Sequence, residues 1–554
     1  MVKNFYKLLG LSWAIIVCAD AYAQSGTLNT KFTRQDTLRG SYGEGRKGWD
    51  VLKYDITIQP NLKAKTISGK NKITFYDTCA RVMQIDMQEP MIIDSVICGG
   101  KSLPLTREGN VYWVTFRDPR AKYKIKPGPK EITAYFHGKP VEAKRAPWDG
   151  GWIWTKDEAG RDWASVACQG LGASVWYPCK DHQGDEPDNG ASLTIIVPDT
   201  LVGVGNGRLI SEKNNGDGTA TFTWVVKNPI NNYNIIPYIG KYVNFTDKMT
   251  GEKGALDLNY WVLDYNLKKA KKQFEVVKPM IQCFESWMGP YPFYEDNYKL
   301  IDAPHLGMEH QSGIAYGNKY GMGYLGNDLS GTGWGLKFDF IIVHESGHEW
   351  FGNNITSKDI ADMWVHESFT NYSETLFTEC LSGKKAGSEY VIGTRKNILN
   401  DKPITGTYGV NSEGSGDMYY KGANMLHTIR QVIDNDRVFK DILRGLGKDF
   451  YHKTVTGREI ERYISQKSGK DLGRIFDQYL RTTDIPELQY KKEGDVISYQ
   501  WGNVVKGFNM PLKLTNGKWI YPTEAPKKIA VKDAGGPALN IIPDFYMKIK
   551  ALNG

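Results

Sequence analysis

The sequence of 554 residues has few cysteines, and none of them forms a recognisable chemical motif. Seven cysteines are spread along the chain without a CxxC pair, which argues against a zinc ribbon or a thioredoxin-like site. Beyond its first residues, the chain lacks any uninterrupted apolar run of about 18 residues, the length typical of a membrane span. Internal repeats and low-complexity linkers are also missing. We therefore expect a globular protein of several domains, because 554 residues are too many for one hydrophobic core.

The chain also lacks a large excess of charge of one sign. The net charge of +8 is modest for this length, and the composition of 41% hydrophobic and 24% charged residues is that of a folded protein. One basic group, Lys268, Lys269, Lys271 and Lys272, starts an amphipathic stretch and is typical of a solvated helix face. A nucleic-acid-binding patch is the alternative interpretation of this group. The charge pattern predicts no nucleic-acid partner and does not indicate an oligomeric state.

The first 23 residues have the pattern of a signal peptide. Basic residues precede a short apolar run over residues 8–19, and small residues at positions 21 and 23 fit cleavage after Ala23. Lipidation at Cys18 is the alternative, but Val17 stands where a bacterial lipobox has Gly or Ala. We expect a periplasmic or secreted protein with no transmembrane segment in the mature chain.

Six cysteines remain after this cleavage, and an oxidising compartment permits disulfides. Spacing along the chain makes Cys79–Cys98 and Cys168–Cys179 plausible pairs. Six cysteines allow 15 full pairings, so the sequence leaves the connectivity open.

Strand and helix patterns divide the chain after residues 1–23 into three predicted domains. Residues 24–243 show alternating apolar segments and turn-rich connections, which predict an N-terminal β domain. Residues 244–482 combine strands with a long helix predicted at 267–287 and then become largely helical, which predicts a mixed α/β domain. Residues 483–554 return to short strands and predict a small C-terminal β domain.

The chemistry concentrates in His344-Glu345-Ser346-Gly347-His348, which matches the HExxH pattern. A helix predicted over residues 336–351 places His344 and His348 one turn apart on the same face, where both imidazoles reach one ion. Glu345 stands beside the first histidine, where it is placed to take a proton from water rather than to bind the metal. The alternative is a buried helix that carries two ordinary histidines.

A catalytic zinc ion needs three protein ligands and one open position. A third histidine six residues after the second is excluded, because that position is Asn354. The other common arrangement takes a glutamate from the next helix, and Glu367 follows His348 by 19 residues. The neighbouring His366 is an alternative ligand, and since adjacent residues on a helix point about 100° apart, only one of the two faces the site. Glu374, on the same face as Glu367, is either a partner of a ligand imidazole or a solvated helix charge.

Two of these stretches resemble a known family. HESGHEWFGN at residues 344–353 and WVHESFTNYSE at residues 364–374 closely resemble the M1 aminopeptidases, a gluzincin group that includes aminopeptidase N and leukotriene A4 hydrolase. Further similarity upstream, at residues 168–170 and 176–181, and downstream, at residues 476–481, extends the resemblance over most of the mature chain.

The resemblance implies a fold and a metal. Members of the family separate HExxH from the third ligand by 18 residues, a spacing that selects Glu367 over His366. The implied fold has a saddle-like antiparallel N-terminal sheet, a thermolysin-like mixed α/β catalytic domain and here a small C-terminal β domain. The implied cofactor is one Zn²⁺ per chain.

Substrate-binding residues also follow from the resemblance. Gly307-Met308-Glu309 resembles the G-x-M-E-N motif, which implies that Glu309 binds the substrate α-amine and that Gly307 and Met308 contact the peptide. Gln169 matches the position that supplies a second polar contact to the amine. The chain departs from the motif at His310, which replaces Asn; this leaves the local backbone geometry open and adds a titratable group near the site.

A catalytic tyrosine follows from a third motif. Residues 418–423 resemble the family segment Y-x-K-G, in which the tyrosine stands two residues before the lysine, and this selects Tyr419 over Tyr420. A phenol at that position would donate a hydrogen bond to the oxyanion that forms during hydrolysis.

The resemblance therefore implies a zinc-dependent aminopeptidase that hydrolyses the N-terminal bond of peptides, with Glu345 as general base. An endopeptidase, an epoxide hydrolase or a non-catalytic peptide-binding module on the same scaffold are the alternatives. Many members carry a large C-terminal helical domain, for which the residues after Arg481 show no pattern. This predicts an open cleft that accepts peptides of varied length. The side-chain preference of the enzyme is not indicated.

Overall fold

The computed structural model describes residues 31–118, 120 and 126–552. The predicted signal peptide, residues 1–23, lies outside these residues. Within the described ranges, no helix combines the length and the apolar character needed to cross a membrane.

Strands dominate the first half of the chain. Their sequences alternate as predicted: in Ala191–Pro198, for example, Leu193, Ile195 and Val197 are buried and the residues between them are half-buried. The elements are α1 (Arg34–Gly40), α2 (Glu44–Lys47), β1 (Trp49–Asn61), β2 (Thr66–Asp77), β3 (Val82–Asp86), β4 (Ile92–Cys98), β5 (Lys101–Ser102), β6 (Leu105–Glu108), β7 (Val111–Thr115), β8 (Gly128–Gly138), β9 (Gly151–Lys156), β10 (Asp162–Ala167), β11 (Ala191–Pro198), β12 (Val202–Val204), β13 (Arg208–Asn214), β14 (Thr219–Val226) and β15 (Tyr238–Gly240).

These strands build an eight-stranded sheet in the order β13-β14-β11-β1-β2-β8-β4-β5. Its neighbours are antiparallel except β1 and β11, which run parallel. Two smaller sheets, β12-β15-β10-β9 and β3-β7-β6, pack beside it around a shared hydrophobic core. The predicted N-terminal β architecture is confirmed, and the one parallel pair is the exception to its antiparallel character.

The middle of the chain mixes strands and helices, as predicted. A five-stranded sheet has the order β16-β17-β18-β20-β19, with β19 at its edge, and helices dominate from residue 340 onward. The elements are β16 (Tyr242–Gly251), β17 (Gly254–Leu263), α3 (Leu267–Gln273), α4 (Val277–Met288), β18 (Tyr298–Asp302), β19 (Gly307–Met308), β20 (Ile314–Tyr316), α5 (Phe340–Gly347), β21 (Ile355–Ser357), α6 (Trp364–Ser382), α7 (Lys384–Gly393), α8 (Tyr420–Ile433), α9 (Asp436–Asp449), β22 (Lys453–Val455), α10 (Gly457–Ser468) and α11 (Gly473–Arg481).

Two predicted helices differ in extent from the observed ones. The helix predicted at 267–287 is two helices, α3 and α4, joined by a 3₁₀ turn at Phe274–Val276. The helix predicted at 336–351 is shorter and is α5 alone, because the Asp339 side chain accepts hydrogen bonds from the backbone N–H groups of Ile341 and Ile342 and so starts the helix there. Sequence periodicity does not reveal the first break, since apolar residues continue at helical spacing through it, at Ala270, Phe274 and Val277.

The last part of the chain is a small β unit, as predicted. Its main sheet has the order β27-β24-β23-β28. Buried side chains such as Leu488, Trp501 and Phe545 join the same hydrophobic cluster as the helices before them. The predicted domain boundaries at 243/244 and 482/483 stay predictions. The elements are β23 (Glu487–Glu493), β24 (Val496–Gly502), β25 (Leu512–Lys513), β26 (Trp519–Ile520), β27 (Lys527–Ala530), α12 (Val531–Ala534) and β28 (Lys548–Ala551).

Neither of the two cysteine pairs that spacing makes plausible forms, and the connectivity that the sequence left open is a single long-range bond among the described residues. Cys283 of α4 and Cys380 of α6 are bonded, with their Cα atoms 6.2 Å apart, although 97 residues separate them in the sequence. The four cysteines of the two pairs favoured by spacing, Cys79–Cys98 and Cys168–Cys179, are free. The physical reason is that α4 and α6 pack side by side, and closeness along the chain does not report this distance.

Candidate active site

The two histidines of the HExxH pattern present the same nitrogen to one point. His344 lies in α5 and His348 follows directly after it, with their ring centroids 5.0 Å apart. Each ring engages its Nδ1 elsewhere: His344 Nδ1 lies 2.7 Å from Glu374 Oε1, and His348 Nδ1 lies 3.0 Å from the Phe351 carbonyl oxygen. Both Nε2 atoms are therefore left to face Glu367.

Glu367 lies in the first turn of α6, which packs closely on α5. A Cβ atom at Gly347 would stand 2.4 Å from Ser373 Oγ, so a glycine is needed where the two helices meet. This contact brings Glu367 Oε2 to 3.3 Å from His348 Nε2 and 3.6 Å from His344 Nε2. The three side chains are buried, and their donor atoms lie within 4.8 Å of one another.

These residues fit a metal ion. Glu367 Oε2 is buried and receives no hydrogen bond from the described part of the chain, which is costly unless a cation occupies the site. Two nitrogens and one oxygen are the ligand types of catalytic zinc, and tetrahedral ligands at about 2 Å from zinc lie about 3.3 Å apart. The observed separations match that spacing.

The alternatives to Glu367 lie elsewhere. The His366 ring is turned away, and its Nε2 accepts a hydrogen bond from the Ser357 backbone N–H at 2.8 Å. Burial lowers the pKa of His366 to about 3, so the ring is neutral. Asn354 accepts a hydrogen bond from the His452 backbone N–H at 2.9 Å, away from the three donors.

Glu374 is fully buried and is not a solvated helix charge. Besides its contact with His344 Nδ1, its carboxylate accepts hydrogen bonds from Asn371 Nδ2 at 2.9 Å and from the Tyr390 hydroxyl at 2.6 Å. A carboxylate held by two further donors orients the imidazole beside it and fixes its tautomer.

Glu345 lies beside the cluster of His344, His348 and Glu367 but is not one of its three donors. The side chain is 7% exposed, and burial raises its pKa to about 7 against the opposing effect of the two imidazoles. Strand β19 runs directly past it, since a Cβ atom at Gly307 would stand 2.7 Å from Glu345 Oε1. Gly307 therefore permits the backbone of an edge strand to approach this carboxylate. Met308, the other residue of β19, is buried beside it.

Glu309 follows β19 and is held by residues from distant parts of the chain. Its Oε1 accepts hydrogen bonds from Gln169 Nε2 at 2.6 Å and from the Tyr233 hydroxyl at 2.8 Å. Asn353 Nδ2 donates to its backbone carbonyl at 2.8 Å. Burial raises the pKa of Glu309, an effect that a bound cationic group would reverse.

Glu309 and the metal donors converge. Donor atoms of Glu309, Glu345 and His348 also lie within 4.8 Å of one another. The carboxylate predicted to bind an amine is therefore adjacent to the carboxylate predicted to act as base.

His310 does not behave as the predicted titratable group. The ring is fully buried, and burial holds its pKa well below the usual range, so it stays neutral. The Tyr238 hydroxyl donates to the Gly313 carbonyl at 2.9 Å and lies 2.5 Å from His310 Nδ1. Since a hydroxyl has one hydrogen, His310 Nδ1–H is the donor in the second contact. His310 thus supports the backbone behind Glu309.

Tyr419 lies next to His344. It immediately precedes α8, and its half-buried ring stacks on the His344 ring with centroids 5.9 Å apart and planes inclined by 27°. Tyr420 already belongs to α8. Of the two tyrosines, Tyr419 is the one whose ring is observed to stack on His344.

Four residues of this site escaped the sequence analysis. Asn371 precedes Glu374 by three residues on α6, a helical spacing that could have indicated it. Asn353 ends the HESGHEWFGN stretch, although no pattern indicates its contact with Glu309. Tyr233 and Tyr390 had no local signal, because tertiary packing alone brings them to Glu309 and Glu374.

Comparison with known proteins places this geometry in context. Residues 272–479 match the family model of the peptidase family M1 domain. Probable aminopeptidase 2 of Sulfurisphaera tokodaii is 22% identical over 512 residues, which cover 90% of this chain and 57% of that protein. Aminopeptidase N of Lactobacillus helveticus is 24% identical over 461 residues, which cover 78% of this chain and 51% of that protein. The chain thus spans little more than half the length of these curated relatives.

The fold is also found among solved structures. An M1 zinc metallopeptidase from Deinococcus radiodurans superposes with a TM-score of 0.66 at 19% identity, over 80% of this chain and 95% of that chain. A mutant of that protein has been solved with a Tyr-Ser-Ala substrate bound. At this level of identity the similarity establishes the fold alone, a β domain followed by a mixed α/β domain.

Proposed function

Because the chain belongs to peptidase family M1, we propose that it is a zinc-dependent aminopeptidase that removes residues from the free N-terminus of peptides. The curated relatives named above carry the same type of activity in their names. The substrates in this proposal are peptides with a free N-terminal amine.

His344, His348 and Glu367 would hold one zinc ion per chain. When bound, the ion would supply a Lewis acid for the scissile carbonyl and lower the pKa of water. Glu374 keeps the His344 ring in the tautomer whose Nε2 carries a free lone pair, and the Phe351 carbonyl does the same for His348.

Glu345 acts as the general base in this proposal. Its carboxylate lies beside a proposed metal ligand, where it would accept a proton from the attacking water and then pass it to the leaving amine. The side chain is buried beside β19, so the proton is exchanged away from bulk water.

Tyr419 donates a hydrogen bond to the negative charge that develops on the carbonyl oxygen. The stacking of its ring on the His344 ring supports this role, because it keeps the tyrosine next to a proposed metal ligand. Strand β19 lies at the edge of its sheet, a position at which an extended peptide could align beside it.

One observation carries the choice of an aminopeptidase over an endopeptidase. The Glu309 carboxylate lies within 4.8 Å of Glu345 and His348, so an ammonium group paired with it would stand next to the reacting bond. That arrangement leaves room for one residue between the amine and the bond that is cleaved. It favours action at the chain end.

Hydrolysis of a panel of aminoacyl-coumarins tests this function. We expect activity that a chelator abolishes and that added zinc restores. The same amino acids with acetylated amines should be hydrolysed at least about 100-fold more slowly, because acetylation removes the charge that pairs with Glu309. Equal rates on free and acetylated substrates would support the endopeptidase alternative instead.

We also propose that the protein is exported to the periplasm or secreted, from the signal-peptide pattern before Gln24. N-terminal sequencing of the protein from its native cells tests this, with Gln24 expected as the first residue.

A further inference from the structure

Helices α6 and α8 meet at a buried serine that directly follows the ligand Glu367. The Ser368 side chain is fully buried, and its hydroxyl donates a hydrogen bond to the Met418 backbone carbonyl at 2.7 Å. Met418 is the residue before Tyr419. One hydroxyl thus joins the helix of a metal ligand to the chain segment of the proposed oxyanion donor.

Gly422 makes this close approach possible. A Cβ atom at position 422 would stand 1.9 Å from Ser368 Oγ and 2.7 Å from Ser368 Cβ. Any side chain there would force α8 away from α6. The separation of the two helices at this point is therefore set by the serine itself.

The hydrogen bond restrains Tyr419 through the planarity of the peptide group. The Met418 carbonyl and the Tyr419 N–H belong to one rigid peptide plane. Ser368 holds the carbonyl end of this plane, and the Gly416 carbonyl accepts a hydrogen bond from the Tyr419 N–H at 3.2 Å at the other end. Together the two hydrogen bonds orient the peptide plane that ends at the Tyr419 Cα atom, and with it the point from which the Tyr419 side chain leaves the backbone.

We propose that Ser368 is a positioning residue for catalysis, which fixes the Tyr419 phenol relative to the metal ligands. This inference rests on the proposed function, in which Tyr419 stabilises the developing oxyanion. Glu367 and Ser368 then act as a pair on one helix: the first binds the metal, and the second aligns the hydrogen-bond donor opposite to it. A displacement of about 1 Å at such a donor is enough to cost a large part of its effect.

A double-mutant cycle tests the proposal. Ser368→Ala, Tyr419→Phe and the combined variant are compared with wild type for kcat and KM on one aminoacyl-coumarin, with zinc content and thermal unfolding measured for each. We expect Ser368→Ala to lower kcat about 5- to 50-fold with KM and zinc content unchanged, because the loss concerns the transition state. In the Tyr419→Phe background the same substitution should change kcat less than about 2-fold, because the group that Ser368 aligns is gone.

Thr378→Val is the matched control. Thr378 lies on the same helix, is buried, and its hydroxyl donates only to the Glu374 carbonyl of its own helix at 2.8 Å among the described residues. We expect its kcat to stay within about 2-fold of wild type. If Ser368→Ala fails to fold, Ser368→Cys replaces it in the cycle, since a thiol has a similar shape and is a weaker donor. A smaller loss of kcat that again vanishes in the Tyr419→Phe background is then the expected result.

The outcomes distinguish a failure of the positioning role of Ser368 from a failure of the proposed function. If Tyr419→Phe lowers kcat but Ser368→Ala lowers it by the same factor in both backgrounds, Ser368 has a structural role and the inference is overturned, while the proposed function stands. If Tyr419→Phe keeps wild-type kcat, the oxyanion role of Tyr419 fails and the positioning role of Ser368 fails with it. A loss of zinc in Ser368→Ala alone would also overturn the inference.

Discussion

The two halves of the proposed active site are assembled over very different distances along the chain. The metal half comes from two successive helices and consists of His344, Glu345, His348, Glu367 and Glu374. The substrate half comes from four separate segments and consists of Gln169, Tyr233, Glu309 and Tyr419. The comparison shows why a motif finds one half and misses part of the other. Helical periodicity sets the positions of the metal half, and packing between segments far apart along the chain sets those of the substrate half.

The largest effect is expected when the general base of the metal half is removed. Glu345→Gln should lower kcat by about 10³-fold, because an amide cannot accept a proton from water. KM and zinc content should remain as in wild type, since Glu345 is not one of the three proposed zinc ligands, His344, His348 and Glu367. Steady-state kinetics and metal analysis on the same protein check this result.

Glu349→Gln is the control for that substitution. Glu349 is fully buried four residues later, and it accepts hydrogen bonds from the Ser312 N–H and the Tyr291 hydroxyl. Burial raises its pKa to about 8, which reduces the cost of replacing the carboxylate by a neutral amide of the same size. A kcat within about 3-fold of wild type is expected. Full activity of Glu345→Gln would remove the base from the metal half.

The next effect concerns the substrate half. Glu309→Gln should lower kcat/KM about 10- to 100-fold on substrates with a free amine, because a charged hydrogen bond to the ammonium is lost. The rate of hydrolysis of the acetylated substrate should change little. The ratio of kcat/KM on free and acetylated substrates should therefore fall. Measuring both substrates on both proteins supplies the control. An unchanged preference would mean that the chain end is recognised elsewhere.

A third variant tests how the metal half is supported. Glu374→Gln should weaken zinc binding about 10- to 100-fold, because the amide no longer holds the His344 Nδ1–H as a carboxylate does. At saturating zinc, kcat should approach that of wild type. Competition with a chelating dye measures the affinity.

Glu379→Gln is the matched control on the same helix. Glu379 pairs with Arg430 at 2.8 Å and has no contact with His344. Unchanged zinc affinity is expected for it. If both variants bound zinc like wild type, Glu374 would have no role in holding the ligand.

The smallest expected effect comes from Tyr233, which supports Glu309 in the substrate half. Tyr233→Phe removes one neutral donor to Glu309 and should lower kcat/KM about 2- to 10-fold. Tyr242→Phe is the control, because its buried hydroxyl donates to the Asp302 carbonyl rather than to the site. Equal losses in the two variants would indicate a general effect on stability and would weaken the link between the N-terminal sheet and substrate binding.

Much of the fold followed from sequence patterns. Alternation in segments such as Ala191–Pro198 predicted strands, and the change to helical periodicity after residue 335 predicted the helical part of the catalytic domain. Helix ends were less accurate, since the cap at Asp339 depends on a side-chain conformation that a periodic pattern does not contain. The bond between Cys283 and Cys380 was missed for a related reason, because spacing along the chain says nothing about which helices lie side by side.

The choice between Glu367 and His366 could not be made from helical geometry alone. Helical geometry predicted that only one of them faces the metal, and the family spacing favoured Glu367. The structure gives the physical cause: the His366 ring is used by the Ser357 backbone N–H on the other side of α6. The opposite case is Glu374, where the sequence left a buried partner and a solvated charge equally open, and packing against Tyr390 decided for the first.

By itself, the sequence determined the elements that periodicity encodes: the strands, the helices, and the HExxH histidines one turn apart. It determined these because both the pattern and the geometry repeat within a few residues. Only the tertiary structure decided that Tyr233 and Gln169 hold Glu309, that Ser368 holds the Met418 carbonyl, and that Glu309 stands beside Glu345. Those contacts join segments far apart along the chain, and their distances depend on how domains and helices pack rather than on any local pattern.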